Sequence, residues 1–126
     1  MTANIESYID DINNLTSYIV QGTLMTDQII ATIDEFFSEK PTKYVLWNFS
    51  QAQIAQISNN DIKEIVKIVT KYADRNIVLK TALVFSEDGA FGLGRMFEML
   101  AEMEETPQQF MSFRNADDAY KWLSAT

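Results

Sequence analysis

Three short apolar runs, residues 44–49, 77–85 and 110–113, are each followed by a stretch whose apolar residues recur at helical spacing. That alternation constrains the fold more than any other feature. A strand, a helix and a further strand in one sheet require a crossover, and right-handed crossovers build a mostly parallel sheet. Residues 5–9 and 15–20 are β-prone and are separated by Asp10-Asp11-Ile12-Asn13-Asn14, which has the composition of a turn. They predict an opening antiparallel hairpin, with Gly22 closing its second strand. The expected fold is α/β: a mixed, mostly parallel sheet of about five strands with an N-terminal hairpin and about four flanking helices. No linker or repeat interrupts the pattern, so residues 1–126 are read as one domain.

Helix starts follow from capping chemistry. Thr26 is a candidate N-cap with Asp27 in the first turn, and Ile29, Ile30, Ile33, Phe36 and Phe37 mark the buried face. Lys40-Pro41 ends that helix. Ser58 and Asp61 have the spacing of a capping box, with Asn60 a rival cap, ahead of the stripe Ile62, Ile65, Val66, Val69 and Ala73. Asn115 can cap a last helix through Asp118, with Ala116, Ala119, Tyr120 and Leu123 facing inward.

Composition removes several functions. The chain has no histidine and no cysteine, so it lacks the commonest general base, the commonest metal ligands and any thiol nucleophile. A reducing, cytoplasmic setting is the simplest expectation. The net charge of -8 argues against nucleic acid, whose phosphates attract clustered Lys and Arg. The first residues, Met1-Thr2-Ala3-Asn4-Ile5-Glu6, do not read as a secretion signal, and no apolar run approaches the length of a membrane span. Neighbouring carboxylates such as Asp10-Asp11, Glu104-Glu105 and Asp117-Asp118 point in different directions and form no acid/base dyad. No cofactor, metal site or catalytic set is expected, and the chain is read as a non-enzyme.

The segment from Glu87 to Phe97 holds three of the four glycines and joins an expected strand to an expected helix around Met96–Met103. Such junctions are where α/β proteins place ligands. Phe91, Gly92, Gly94 and Arg95 are the candidate ligand or anion site: free N–H groups at a helix start, bare glycine backbone and a guanidinium. The competing reading is tight helix-on-sheet packing, with Arg95 paired to Glu98. The pattern matches neither the three-glycine dinucleotide fingerprint nor a P-loop. Leu93, Met96, Phe97 and Leu100 are assigned to the inner face, which leaves Met99 and Met103 toward its edge. Met96, Met99, Met103 and Met111, with Phe91 and Phe97, suit either an ordinary adaptable core or, functionally, a pocket for an apolar ligand or a homodimer seam. Lys63, Lys67, Lys71 and Arg75 line one helix face, for an acidic partner, anionic lipid heads or solvent alone.

Three pieces together resemble the SpoIIAA-like proteins, relatives of the STAS (sulfate transporter and anti-sigma-factor antagonist) domain. They are Tyr44-Val45-Leu46-Trp47-Asn48-Phe49, the run Phe91 to Phe97, and the ending Phe113 to Leu123. The resemblance implies a small α/β domain with a mixed sheet flanked by helices and little about activity; the leading reading is a bacterial, non-enzymatic binding or regulatory module of this type, acting through a protein partner or a second copy of itself. The resemblance also implies a regulatory phosphoserine at the start of the helix after the central strand. Here Asn59 and Asn60 occupy the places of the paired serines and Ser58 lies one place early, so plain capping competes with phosphoregulation at Ser58. Asn48 stands where the family pattern calls for an aspartate. The alternative function is a carrier of a small apolar or lipid-like anionic ligand at residues 91–97.

Overall fold

The computed structural model describes residues 2–75 and 77–125. Five strands lie in sequence order across one sheet: β1 (Asn4–Asp10), β2 (Leu15–Thr23), β3 (Tyr44–Gln53), β4 (Lys80–Val84) and β5 (Gln109–Phe113). β1 and β2 are antiparallel, and β2 through β5 are parallel. Four helices make the connections or close the chain: α1 (Thr26–Ser38), α2 (Asn59–Lys71), α3 (Asp88–Met103) and α4 (Ala116–Ser124). The mixed α/β architecture expected from the alternating pattern is present.

The strand pleat divides the core. Tyr18, Val20, Val45, Trp47, Leu83 and Phe85 point to the side covered by α1, α2 and α3. Leu46, Ala82 and Val84 point to the other side, where Ala119 and Leu123 of α4 cover them. Trp47, Phe49 and Phe85 form a stacked aromatic row across β3 and β4, with centroids 5.5 Å and 5.2 Å apart. Lys80 closes α4 by donating to the carbonyls of Trp122 and Ala125, 2.8 Å each, which places a cation at the negative end of that helix.

Several boundaries differ from the sequence reading. The hairpin turn is as expected, with Asp10 accepting from the N–H groups of Ile12 and Asn13 and Asn14 at φ 55°. Gly22 lies inside β2 rather than closing it, at φ 96°, and the Cα of Ala3 would stand 3.4 Å from any Cβ placed there. The α1 N-cap is Met25, not Thr26, and the Gln28 side chain accepts from its N–H. β3 runs four residues further than its apolar run, to Gln53, because polar side chains continue the ladder: Gln21 pairs with Gln51, and Thr23 with Gln53. β4 is shorter than residues 77–85, since the Leu79 N–H turns to the Lys43 carbonyl before the ladder begins. Tyr120, expected inside, is 46% exposed, because α4 covers the sheet with the narrow stripe Ala119 and Leu123.

The largest shift is in α3. It begins at Asp88, eight residues before Met96, so Gly89, Gly92 and Gly94 are all helical. Its buried stripe is Gly94, Phe97 and Ala101. Leu93, Met96 and Leu100, assigned with Phe97 to the inner face, are half-buried flanks of that stripe.

Candidate functional site

The parallel strands β3, β4 and β5 end on the same side of the molecule, where α2 and α3 begin. The N-cap of α3 is Glu87, whose side chain makes no capping bond. The Phe91 N–H already donates to the Glu87 carbonyl at 2.9 Å, so the free N–H groups of this terminus belong to residues before Phe91. Gly92 and Gly94 sit past the first turn, where N–H groups serve the helix itself.

The four residues of the candidate site do not converge on one point. Helical rotation of about 100° per residue puts Gly92 and Gly94 on opposite sides of α3. Gly92 is exposed, with open space where a Cβ would be. Gly94 is buried, and a Cβ there would stand 2.3 Å from Phe85 Cε2 and 2.6 Å from Ser112 Oγ. Arg95 is 60% exposed and reaches Glu98 at 3.7 Å. Glu98 in turn accepts from the Ser112 N–H at 2.9 Å, which ties α3 to β5. Phe91 remains at the strand ends, half-buried beneath a different arginine.

That arginine is Arg114, immediately after β5. Its guanidinium carbon lies 5.3 Å from the Phe91 ring centroid, and Nη1 is 2.7 Å from the Asp88 carboxylate in the first turn of α3. Nη2 donates to the Ser86 carbonyl at 3.4 Å. The Ser86 hydroxyl donates to the Ser50 carbonyl at 2.8 Å, and the Ser50 hydroxyl to Asn48 Oδ1 at 2.6 Å. A polar chain therefore links β3, at and just past the end of its pairing with β4, and the ends of β4 and β5 to the start of α3. Reading along the sequence did not find it, because its members are far apart in the chain. The signal that would have found part of it is positional: Ser86 and Arg114 lie just past the carboxyl ends of parallel strands, which gather at one edge of the sheet.

Asn48 has a local role in this chain of contacts. It accepts from both the N–H and the hydroxyl of Ser50. There β3 carries one residue more than β2 between the pairs Ile19–Asn48 and Gln21–Gln51, so the amide holds a bulge together.

At the adjoining start of α2, Ser58 and Asp61 form the complete capping box. The Ser58 hydroxyl accepts from the Asp61 N–H at 3.1 Å, and the Asp61 carboxylate accepts from the Ser58 N–H at 2.8 Å. The Ser58 N–H, then the Ser58 hydroxyl and more weakly the Thr26 side chain, hold the Asp61 carboxyl below the usual carboxylate range. Lys63, Lys67, Lys71 and Arg75 are exposed on the outer side of α2 and the turn that follows it. Lys71 and Arg75 lie over the Tyr72 ring, at 5.2 Å and 5.0 Å from its centroid.

Between the sheet and α1, α2 and α3 lies an apolar cavity of about 110 Å³, lined in part by Ile33, Phe36, Trp47, Ile65, Phe85 and Phe97. Among the described residues, no group of three or more His, Cys, Asp or Glu side chains is placed to hold a metal ion. Among the described residues, no helix is long and apolar enough to cross a membrane.

No family model matches the chain. No curated protein matches it either. Solved structures do. An uncharacterised protein of the DUF3478 family from Shewanella loihica PV-4, itself of SpoIIAA-like fold, is similar with a TM-score of 0.61 at 15% identity, over 97% of this chain and 94% of that one. The anti-sigma factor antagonist SpoIIAA in its unphosphorylated form is similar with a TM-score of 0.60 at 11% identity, over 98% of this chain and all of the other. The chain has a SpoIIAA-like fold. Within that SpoIIAA-like frame, β3 is the central strand and the α2 start carrying Ser58 directly follows it.

Proposed function

We propose that the chain is a non-enzymatic regulatory module that binds a protein partner through the outer face of α3. The observation that carries this reading is the exposure of Met99 and Met103, 62% and 72%, on one side of the helix. They lie one turn apart. An amphipathic helix with no partner there gains nothing from two thioethers in water, whereas flexible methionines suit a contact surface that adapts to its target. Gly92 and Arg95 extend the same face toward the strand ends, where Arg114, Asp88 and Ser86 add polar contacts. The SpoIIAA-like fold supports the regulatory class, and the lack of cysteine fits a cytoplasmic setting. Ser58 belongs to this reading as a cap. A phosphate on it would face the Asp61 carboxylate and lose the helix-capping bond.

The test is a photo-crosslinking amino acid at position 99, used in the native host. A discrete crosslinked partner, lost when Met103→Glu is added, is the expected result. The same crosslinks from position 120, which is exposed on α4, would overturn the reading.

The cavity between the sheet and α1, α2 and α3 favours a second reading, a carrier of a small apolar ligand. Arg95 lies outside its lining, so this arrangement gives an acidic head group no partner there. Native mass spectrometry of the purified protein distinguishes the two readings: a co-purified molecule supports the carrier.

A further inference from the structure

We propose that β1 is the seam of a symmetric homodimer, formed by antiparallel pairing of the β1 edge with the same edge of a second copy, with Ser7 on the two-fold axis. β1 is the first strand of the sheet, and among the described residues no strand pairs with its outer side. It is seven residues long and pairs with β2 in unbroken register, without a bulge. Edge strands are normally defended by charged side chains, lysine above all, by proline or by a bulge; β1 has no lysine, proline or bulge, and its only charges are the carboxylates Glu6 and Asp10. Instead it exposes Tyr8 at 54% and Ile9 at 52%.

The occupant follows from the order of side chains along the strand. Pairing about Ser7 sets Ile5 opposite Ile9 of the second copy, Glu6 opposite Tyr8, and Asn4 opposite Asp10. Opposed residues share a sheet face, so the two isoleucine pairs lie together on the α1 side. There an open groove of about 140 Å³ runs between β1 and α1, with Ile5, Ile9 and Phe36 on its apolar side and Glu35, Glu39 and Lys40 of α1 and the residues after it on its polar side. On the other face each Glu6 meets a tyrosine hydroxyl, a bond Tyr8 already makes within one chain at 2.7 Å. The neighbouring two-fold registers are worse. Centring on Glu6 opposes that carboxylate to itself, and centring on Tyr8 opposes Glu6 to Asp10. The Ser7 register alone among these three opposes no two carboxylates and pairs isoleucine with isoleucine. A different protein would have to reproduce this pattern, whereas a second copy brings it by symmetry. The surface is separate from α3, so the dimer and the proposed partner contact stand or fall independently.

Sedimentation of the full chain across concentration tests the proposal. A reversible dimer is expected. With a net charge of -8 on each copy, it should tighten as salt is raised from low to physiological strength. Ile9→Lys should weaken it by at least about 100-fold while circular dichroism stays unchanged, since this exposed position becomes a guarded edge. The register is tested by cysteine, because the chain has none. Ser7→Cys should crosslink to a homodimer on mild oxidation, and Ile5→Cys should crosslink readily only when mixed with Ile9→Cys. A monomer at every concentration would overturn the proposal. So would a dimer untouched by Ile9→Lys, or crosslinking of Ser7→Cys no faster than of Ile12→Cys in the exposed hairpin turn.

Discussion

Gly92 and Gly94 are two residues apart in the same helix, and they do opposite things. Gly94 lies against the sheet where no other side chain fits, while Gly92 lies in open space. The inner side of α3 is set by steric exclusion: Phe85 and Ser112 occupy the volume that a Cβ at position 94 would need. The outer side, from Gly92 through Arg95 to Met99 and Met103, is free of such demands, and what stands there is open to other uses. Two identical residues in one motif therefore carry different information, and only the contact geometry tells them apart.

The largest expected effect tests the inner side. Gly94→Ala forces the Phe85 ring or α3 itself to move, and overpacking of this kind costs typically about 1–3 kcal/mol. Because two neighbours are hit at once, an effect at or above the top of that range is expected, read as a fall in the denaturant midpoint at constant slope. Ser112→Ala in the Gly94→Ala background should recover part of the loss by removing one of the two colliding groups. Ser112→Ala alone should be close to neutral, since its buried hydroxyl has no hydrogen-bond partner to lose. An unchanged midpoint for Gly94→Ala would erase the distinction between the two glycines.

The start of α2 gives a reference of intermediate size, a helix terminus held by side chains where α3 has none. Ser58→Ala should cost about 1 kcal/mol at neutral pH, the usual worth of a serine cap. The linked Asp61 has its pKa lowered in the fold, so its contribution is present above the ordinary aspartate range and is lost as pH falls. The Ser58 N–H, which Ser58→Ala keeps, is the main donor to that carboxylate and the hydroxyl the second, so the penalty of Ser58→Ala should shrink only in part as pH falls from the ordinary aspartate range through the lowered pKa of the folded carboxyl. A penalty independent of pH would separate the hydroxyl from the carboxylate.

Much of this was legible along the chain, for reasons particular to each element. Periodicity placed α2, and capping chemistry placed its start, because Ser58 and Asp61 are local partners whose bonds need nothing from elsewhere. Asn115 before α4 was legible for the same reason. The start of α3 was not. Glycines at positions 89, 92 and 94 disfavour a helix by local propensity, and packing against Phe85, Phe110 and Ser112 overrides that preference. The extension of β3 to Gln53 was hidden because amide pairs rather than apolar alternation sustain it. The Arg114 cluster was hidden because the sheet brings it together from residues far apart in the chain. In the candidate site, Phe91 alone lies at that cluster, and Gly94 stands as a packing residue.

The smallest effects lie on the outer side of α3 and bear most directly on function. Gly92→Ala meets nothing within 4 Å, so it should only gain helix propensity, raising stability by about 0.5–1 kcal/mol. Met99→Gln and Met103→Gln replace exposed side chains with others of similar length and helix propensity, so stability should stay within about 0.5 kcal/mol of the parent. If these three positions bind a partner, the same substitutions should weaken the contact while leaving the thermal midpoint unchanged or raised. If they serve only the fold, stability and binding should fall together. A measurable loss of stability for Met99→Gln would show that its exposed thioether is held by contacts within the chain. That result would leave α3 without the unconstrained face on which the partner reading rests.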